Sequence, residues 1–104
     1  MGIKVHLYKD SNCELCKIMQ SELVANPPSC DLEIHHVKHD YTKEIIDNLN
    51  IKKLPCTIIV DEDSNVEIAR LTGFISSKVI DNIIEDYEKK SMLYIFRYSQ
   101  LLFT

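Results

Sequence analysis

The periodicity of the first 37 residues limits the fold more than any other feature. Residues 3–8 (IKVHLY) place Ile3, Val5 and Leu7 on one side of an extended segment. Ser11 and Asn12 are both N-cap residue types, and Ser11 with Glu14 fits a capping box. Leu15, Ile18, Met19 and Leu23 follow at helical spacing, and Asn26-Pro27-Pro28 stops the pattern. Residues 32–37 return to a strand pattern. A strand–helix–strand unit needs a crossover, so its two strands pair in parallel with a right-handed connection.

The remaining elements build on that unit. Asp40 or Thr42 caps a short helix that turns Ile45, Ile46 and Leu49 inward. Leu54-Pro55-Cys56 leads into a β-branched strand over 57–60. The polar stretch 61–65 (DEDSN) makes a turn into a strand over 66–71, so this pair forms a hairpin, and Gly73 ends it. A last helix, capped by Ser76 or Ser77, carries Val79, Ile80, Ile83, Ile84 and Tyr87 along one stripe. The expected architecture is α/β: a four-stranded mixed sheet in the order βαβ, helix, β-hairpin, helix, with helices on both faces.

At 104 residues, with no repeat, low-complexity tract or linker, one domain is expected over 1–90. Residues 91–104 (SMLYIFRYSQLLFT) are apolar nearly all round, yet too short and too interrupted by Arg97 to span a bilayer. They form an extension that packs on the core, makes a dimer contact or stays disordered; the chain is expected to be a monomer or a weak homodimer through it. The net charge of −4 argues against nucleic acid and against an anionic membrane, both of which call for a basic patch. The N-terminal residues read directly as a strand, with no apolar leader segment, so a cytoplasmic location is expected. In a reducing compartment, a close Cys-x-x-Cys is redox-active or metal-binding rather than part of a structural disulfide framework.

Cys13 and Cys16 lie where the first strand gives way to the first helix. Backbone N–H groups are unpaired there, and the positive end of the helix dipole favours the thiolate of Cys13. Cys16, almost one turn later, can reach Cys13 but is more shielded. That asymmetry suits dithiol–disulfide exchange, in which one thiolate attacks a substrate disulfide and a second thiol resolves the mixed disulfide. Glu14 suits the helix N-terminus but opposes a neighbouring thiolate, while Lys9 and Lys17 compensate, so a reductase or general exchange role fits better than that of a strong oxidant.

With the element order, Cys13-x-x-Cys16, "LPCTIIV" and "ARLTGF" taken together, residues 3–88 resemble the thioredoxin-like superfamily. The resemblance implies a cis Pro55 packed opposite the dithiol, a Leu54 backbone that aligns the substrate strand, and Gly73 at the rim of the same groove. It implies a thiol–disulfide oxidoreductase without a cofactor, with Cys13 as nucleophile and Cys16 as resolving thiol. Its partners would be disulfide-containing proteins or small thiols, and an external reductant. The chain departs from thioredoxins proper in having Asn12 before Cys13, Glu14-Leu15 between the cysteines, and Leu7 where those proteins bury an aspartate. The start, "VHLYKDSNCELC", is similar to glutaredoxins, but Lys53-Leu54-Pro55 and the lone glycine of "LTGF" depart from the glutathione-holding segments of that family.

Two other readings stay open: metal binding or delivery through Cys13, Cys16 and Cys56, and a redox-inactive adaptor that uses the Pro55 groove. Cys56 is a candidate third thiol, although a small buried hydrophobe at a strand start is the plainer role. Cys30 lies in a loop far from the pair and is expected to be incidental. His35, His36 and His39 lack a further ligand to close a tetrahedral site, so they are expected at the surface or the sheet edge, with His6 structural; no metal ligand is assigned.

Overall fold

The computed structural model describes the backbone of residues 2–103 and the side chains of residues 2–91. Its elements are β1 (Ile3–Lys9), α1 (Glu14–Ala25), β2 (Asp31–His36), α2 (Val37–Asp40), α3 (Lys43–Asn48), β3 (Cys56–Asp61), β4 (Val66–Thr72) and α4 (Ser77–Phe103). They form one mixed sheet in the order β2-β1-β3-β4. β1 and β2 pair in parallel, as the crossover requires. β3 runs antiparallel to both β1 and β4, with an irregularity at Ile59/Val60.

The alternation of β1 sorts its residues between two apolar layers. Ile3, Val5 and Leu7 join Ile59 of β3, Met19 and Leu23 of α1, and Ile80 and Ile84 of α4 in the main core. Full burial of each such side chain contributes about 1.5–3 kcal/mol. On the opposite face, Tyr8, Cys56 and Ile58 are covered by Val37, Tyr41, Leu49, Ile51 and Leu54. Helices therefore lie on both faces of the sheet.

Several local expectations are corrected. The inward stripe of α1 is Cys16, Met19 and Leu23, while Leu15 and Ile18 face solvent. Cys16 occupies a core position, and the spacing 16, 19, 23 turns the neighbouring Leu15 and Ile18 outward. Val37 leaves the second strand to begin α2, Thr42 rather than Asp40 caps α3, and Ile45 and Val79 are exposed. Asp61 is not part of the solvated turn. It ends β3 at 7% exposure, where its Oδ2 accepts from the Tyr87 hydroxyl at 2.8 Å and its Oδ1 from the Asp63 N–H at 3.1 Å.

No glycine or proline follows Gly73, so nothing in the sequence interrupts α4. It runs 27 residues, roughly 40 Å, and its backbone continues through the apolar extension. What the side chains of 92–104 pack against, including the expected dimer contact, lies outside the described residues. Among the described residues, no helix is long and apolar enough to cross a membrane.

Candidate active site

The dithiol sits where β1 hands over to α1. Ser11 and Asn12 do not cap that helix. Cys13 does: its backbone is extended, and its Sγ accepts the N–H of Cys16 at 3.1 Å. The Ser11–Glu14 capping box is thus replaced by a sulfur cap, which puts the sulfur against the unpaired N–H groups of the first turn. Cys13 and Cys16 are joined in a disulfide with Cα atoms 5.2 Å apart. Cys13 is half-exposed and Cys16 fully buried, so only the first sulfur meets solvent. Glu14 and Lys17 form an exposed ion pair at 3.2 Å, which offsets the Glu14 charge beside the sulfur.

Asp10 shapes the loop before the dithiol. Its carbonyl accepts the Cys13 N–H at 3.3 Å, and its Oδ2 pairs with Lys38 at 3.2 Å. Burial opposes its ionisation, but the hydrogen bond and charge of Lys38 prevail and hold it below the ordinary aspartate range.

Strand register brings the other predicted residues to the same end of the sheet. Tyr8, near the end of β1, pairs with Cys56 at the start of β3, and Cys56 pairs with Thr72 at the end of β4. The loop carrying Cys13, the segment Leu54-Pro55 and Gly73 therefore all emerge at that end. The Leu54–Pro55 peptide bond is cis. Pro55 is buried, and its carbonyl accepts the Gly73 N–H at 2.9 Å. Gly73 has φ 84°, a left-handed backbone that favours glycine. Leu54 takes no part in backbone pairing among the described residues.

Cys56 does not join the pair. It is buried beside Tyr8 and Ile58, on the sheet face opposite the one that α1 covers. Burial pushes its thiol above the ordinary range. Among the described residues, Cys13, Cys16 and Cys56 form no group of converging ligand atoms. Cys30 precedes β2 at the far end of the sheet, half-buried, with its thiol also pushed up by burial.

His35 and His36 lie on the edge strand β2 and His39 is exposed, as expected, but the His35 side chain is buried at 8% exposure, with its ring stacked on Tyr8 at 4.6 Å. His6, read as structural, lies beside it, with Nδ1 2.9 Å from His35 Nε2. Parallel pairing sets His6 opposite Glu33 and Tyr8 opposite His35, so His6, Glu33 and His35 share one face and their ligand atoms converge. No short-range motif marks this group, because its members meet only through the β1–β2 register. His39 lies in α2, its ring tilted against that of His36 at 4.2 Å.

No family model matches the chain, and no curated protein sequence matches it. Solved structures do. Thioredoxin-2 of the malaria parasite superposes with a TM-score of 0.68 at 17% identity, over 81% of this chain and 82% of that one. A mutant thioredoxin from Halobacterium salinarum gives a TM-score of 0.68 at 10% identity, over 83% and 74% of the two chains. Thioredoxin 1 from Thermosipho africanus gives 0.63 at 25% identity, over 85% and 97%. Identities this low carry the fold rather than the chemistry. The fold of the chain is thioredoxin-like.

Proposed function

We propose that the protein is a thiol–disulfide oxidoreductase that reduces or exchanges disulfides through Cys13 and Cys16. The observation that carries this reading is the unequal setting of the two sulfurs: Cys13 caps α1 with its Sγ on the Cys16 N–H, while Cys16 is fully buried. A helix N-terminus stabilises a thiolate at the exposed position, and the buried thiol is protected until a mixed disulfide forms beside it.

In the reductive direction the Cys13 thiolate attacks one sulfur of a substrate disulfide. A Cys13–substrate disulfide forms, and the other substrate sulfur leaves as a thiolate, which takes the proton of Cys16. The Cys16 thiolate then attacks Cys13 Sγ and expels the second substrate thiolate. Two electrons have passed to the substrate, and the Cys13–Cys16 disulfide remains. An external dithiol reductant resets it by the same exchange. The backbone of Leu54, unpaired within the described residues, offers a substrate segment a strand-like partner beside Pro55 and Gly73. Disulfide-containing proteins and small disulfides both fit an open site of this kind, in a reducing compartment such as the cytoplasm.

The test is turnover of insulin disulfides with dithiothreitol as reductant. Cys13→Ser should abolish turnover with the fold intact, and Cys16→Ser should accumulate a mixed disulfide visible by mass. Normal turnover by Cys13→Ser would refute the assignment of the nucleophile.

A further inference from the structure

Three potential ligand atoms converge on the sheet face opposite α1 and α4. His6 Nδ1 and His35 Nε2 lie 2.9 Å apart, and Glu33 Oε2 is 3.5 Å from the first and 3.4 Å from the second. A point about 2 Å from all three atoms therefore exists, and about 2.0–2.2 Å is the bond length of zinc to imidazole nitrogen and carboxylate oxygen. We propose that His6, Glu33 and His35 form a binding site for a divalent transition metal, zinc above all, with the remaining position open to solvent.

The surroundings of the two imidazoles fit that role. His6 Nε2 lies 3.0 Å from Glu62 Oε1, and His35 Nδ1 lies 2.6 Å from the Tyr41 hydroxyl. Each ring thus has its outward nitrogen engaged by an oxygen, while its other nitrogen is hydrogen-bonded to the other ring at 2.9 Å, a bond that the metal would replace. Metal-bound histidines are held in this way, because the outer partner fixes ring orientation and tautomer. Stacking of the His35 ring on Tyr8 at 4.6 Å restricts its rotation further. Two imidazoles and one carboxylate suit zinc and its neighbours rather than calcium or magnesium, which take all-oxygen sets.

Glu33 is half-exposed, which leaves a solvent route to the centre. One charge opposes the metal: Lys4 Nζ pairs with Glu33 Oε2 at 3.2 Å. Lys4 is partly exposed, and a surface ion pair of this kind is weak enough for the ammonium to swing away. Lys4 is therefore a competitor for the site, and its removal should tighten binding.

The test is equilibrium titration of the full-length protein, Cys13–Cys16 disulfide closed, first with Zn2+ and then with Co2+ as a spectroscopic probe. The closed disulfide keeps the dithiol out of the measurement, so the outcome is independent of the oxidoreductase reading. The expected result is about one equivalent bound, with a cobalt spectrum free of thiolate charge transfer and a Tm that rises with zinc. His6→Gln and Glu33→Gln should each weaken binding at least about tenfold, and Lys4→Gln should strengthen it several-fold. Glu33 and Lys4 lie on the surface, so their variants remain informative if His6→Gln fails to fold. Binding well below one equivalent would overturn the proposal, as would a Glu33→Gln affinity equal to that of the parent or a thiolate signature in the cobalt spectrum.

Discussion

The Sγ of Cys13 accepts the backbone N–H of Cys16 across the first turn of α1, at 3.1 Å. The cap and the exposed sulfur of the dithiol are thus one atom, which ties helix formation to the state of the thiol. With Asn12 or Ser11 in the cap role, Cys13 would be the first or second residue of the helix and its sulfur would not be the capping atom. Here the groups that a helix start leaves unpaired are turned on the sulfur itself.

Selective alkylation of the reduced protein should follow from this placement. Burial pushes the thiols of Cys30 and Cys56 upward, so little thiolate is available at either near neutral pH. Cys13 is half-exposed and favoured as the anion. At pH 7 iodoacetamide should label it at least about tenfold faster than Cys30 or Cys56, as read by peptide mass mapping. Comparable rates at the three positions would remove the case for Cys13 as an activated nucleophile.

A second prediction concerns the pair Asp61–Tyr87, which ties the end of β3 to α4. The Tyr87 hydroxyl is the main cause that holds the Asp61 carboxyl below the ordinary aspartate value, with the Ser64 and Asp63 groups adding to it against the cost of burial. A carboxyl depressed in the folded state stabilises the fold above its unfolded-state value of about 3.9, and that contribution is lost as pH falls through the lower, folded value. Tyr87→Phe should lower the Tm by a few degrees at pH 7. The gap from the parent should narrow as pH is taken below about 4, because both proteins then lose the carboxylate. A gap that stays constant from pH 7 to pH 3 would mean that Tyr87 acts through packing alone.

The order of elements was legible because each has its own period: Ile3, Val5 and Leu7 at two, Ile80, Ile83, Ile84 and Tyr87 at three and four. The dithiol was legible because its chemistry and its place at a strand–helix junction are both local. The orientation of α1 was not, since a cysteine in a Cys-x-x-Cys motif signals reactivity, while Cys16 also supplies a buried apolar position of the stripe with Met19 and Leu23. Asp61 looked like a turn residue because its partner Tyr87 is 26 positions away. The His6–Glu33–His35 group needed the parallel register of β1 and β2, and a Leu32/Ile34 alternation says which face is inward without saying which residues stand opposite.

The orientation of α1 leads to a paired test on two adjacent residues. Met19 is fully buried between the sheet and α4, whereas Ile18 is 56% exposed. Met19→Ala should cost about 2–5 kcal/mol in urea unfolding, the range for truncation in a packed core, whereas Ile18→Ala should change stability by less than about 0.5 kcal/mol. Similar losses at both positions would mean that α1 is rotated relative to the sheet.

Gly73 links the hairpin to the candidate groove through a backbone bond. Its N–H donates to the Pro55 carbonyl at 2.9 Å, and its φ is 84°. A Cβ placed there would meet nothing within 4 Å, so a substitution carries the cost of the left-handed backbone without a steric clash. Gly73→Ala should therefore destabilise the fold by about 1–2 kcal/mol. Gly73→Asn should recover part of that loss, because asparagine tolerates the left-handed region better. If the Leu54–Pro55–Gly73 edge aligns substrate, Gly73→Ala should also raise KM for insulin disulfides more than it lowers kcat, measured below the unfolding range. An unchanged KM alongside the stability loss would assign Gly73 to the hairpin alone and leave substrate alignment to Leu54 and Pro55.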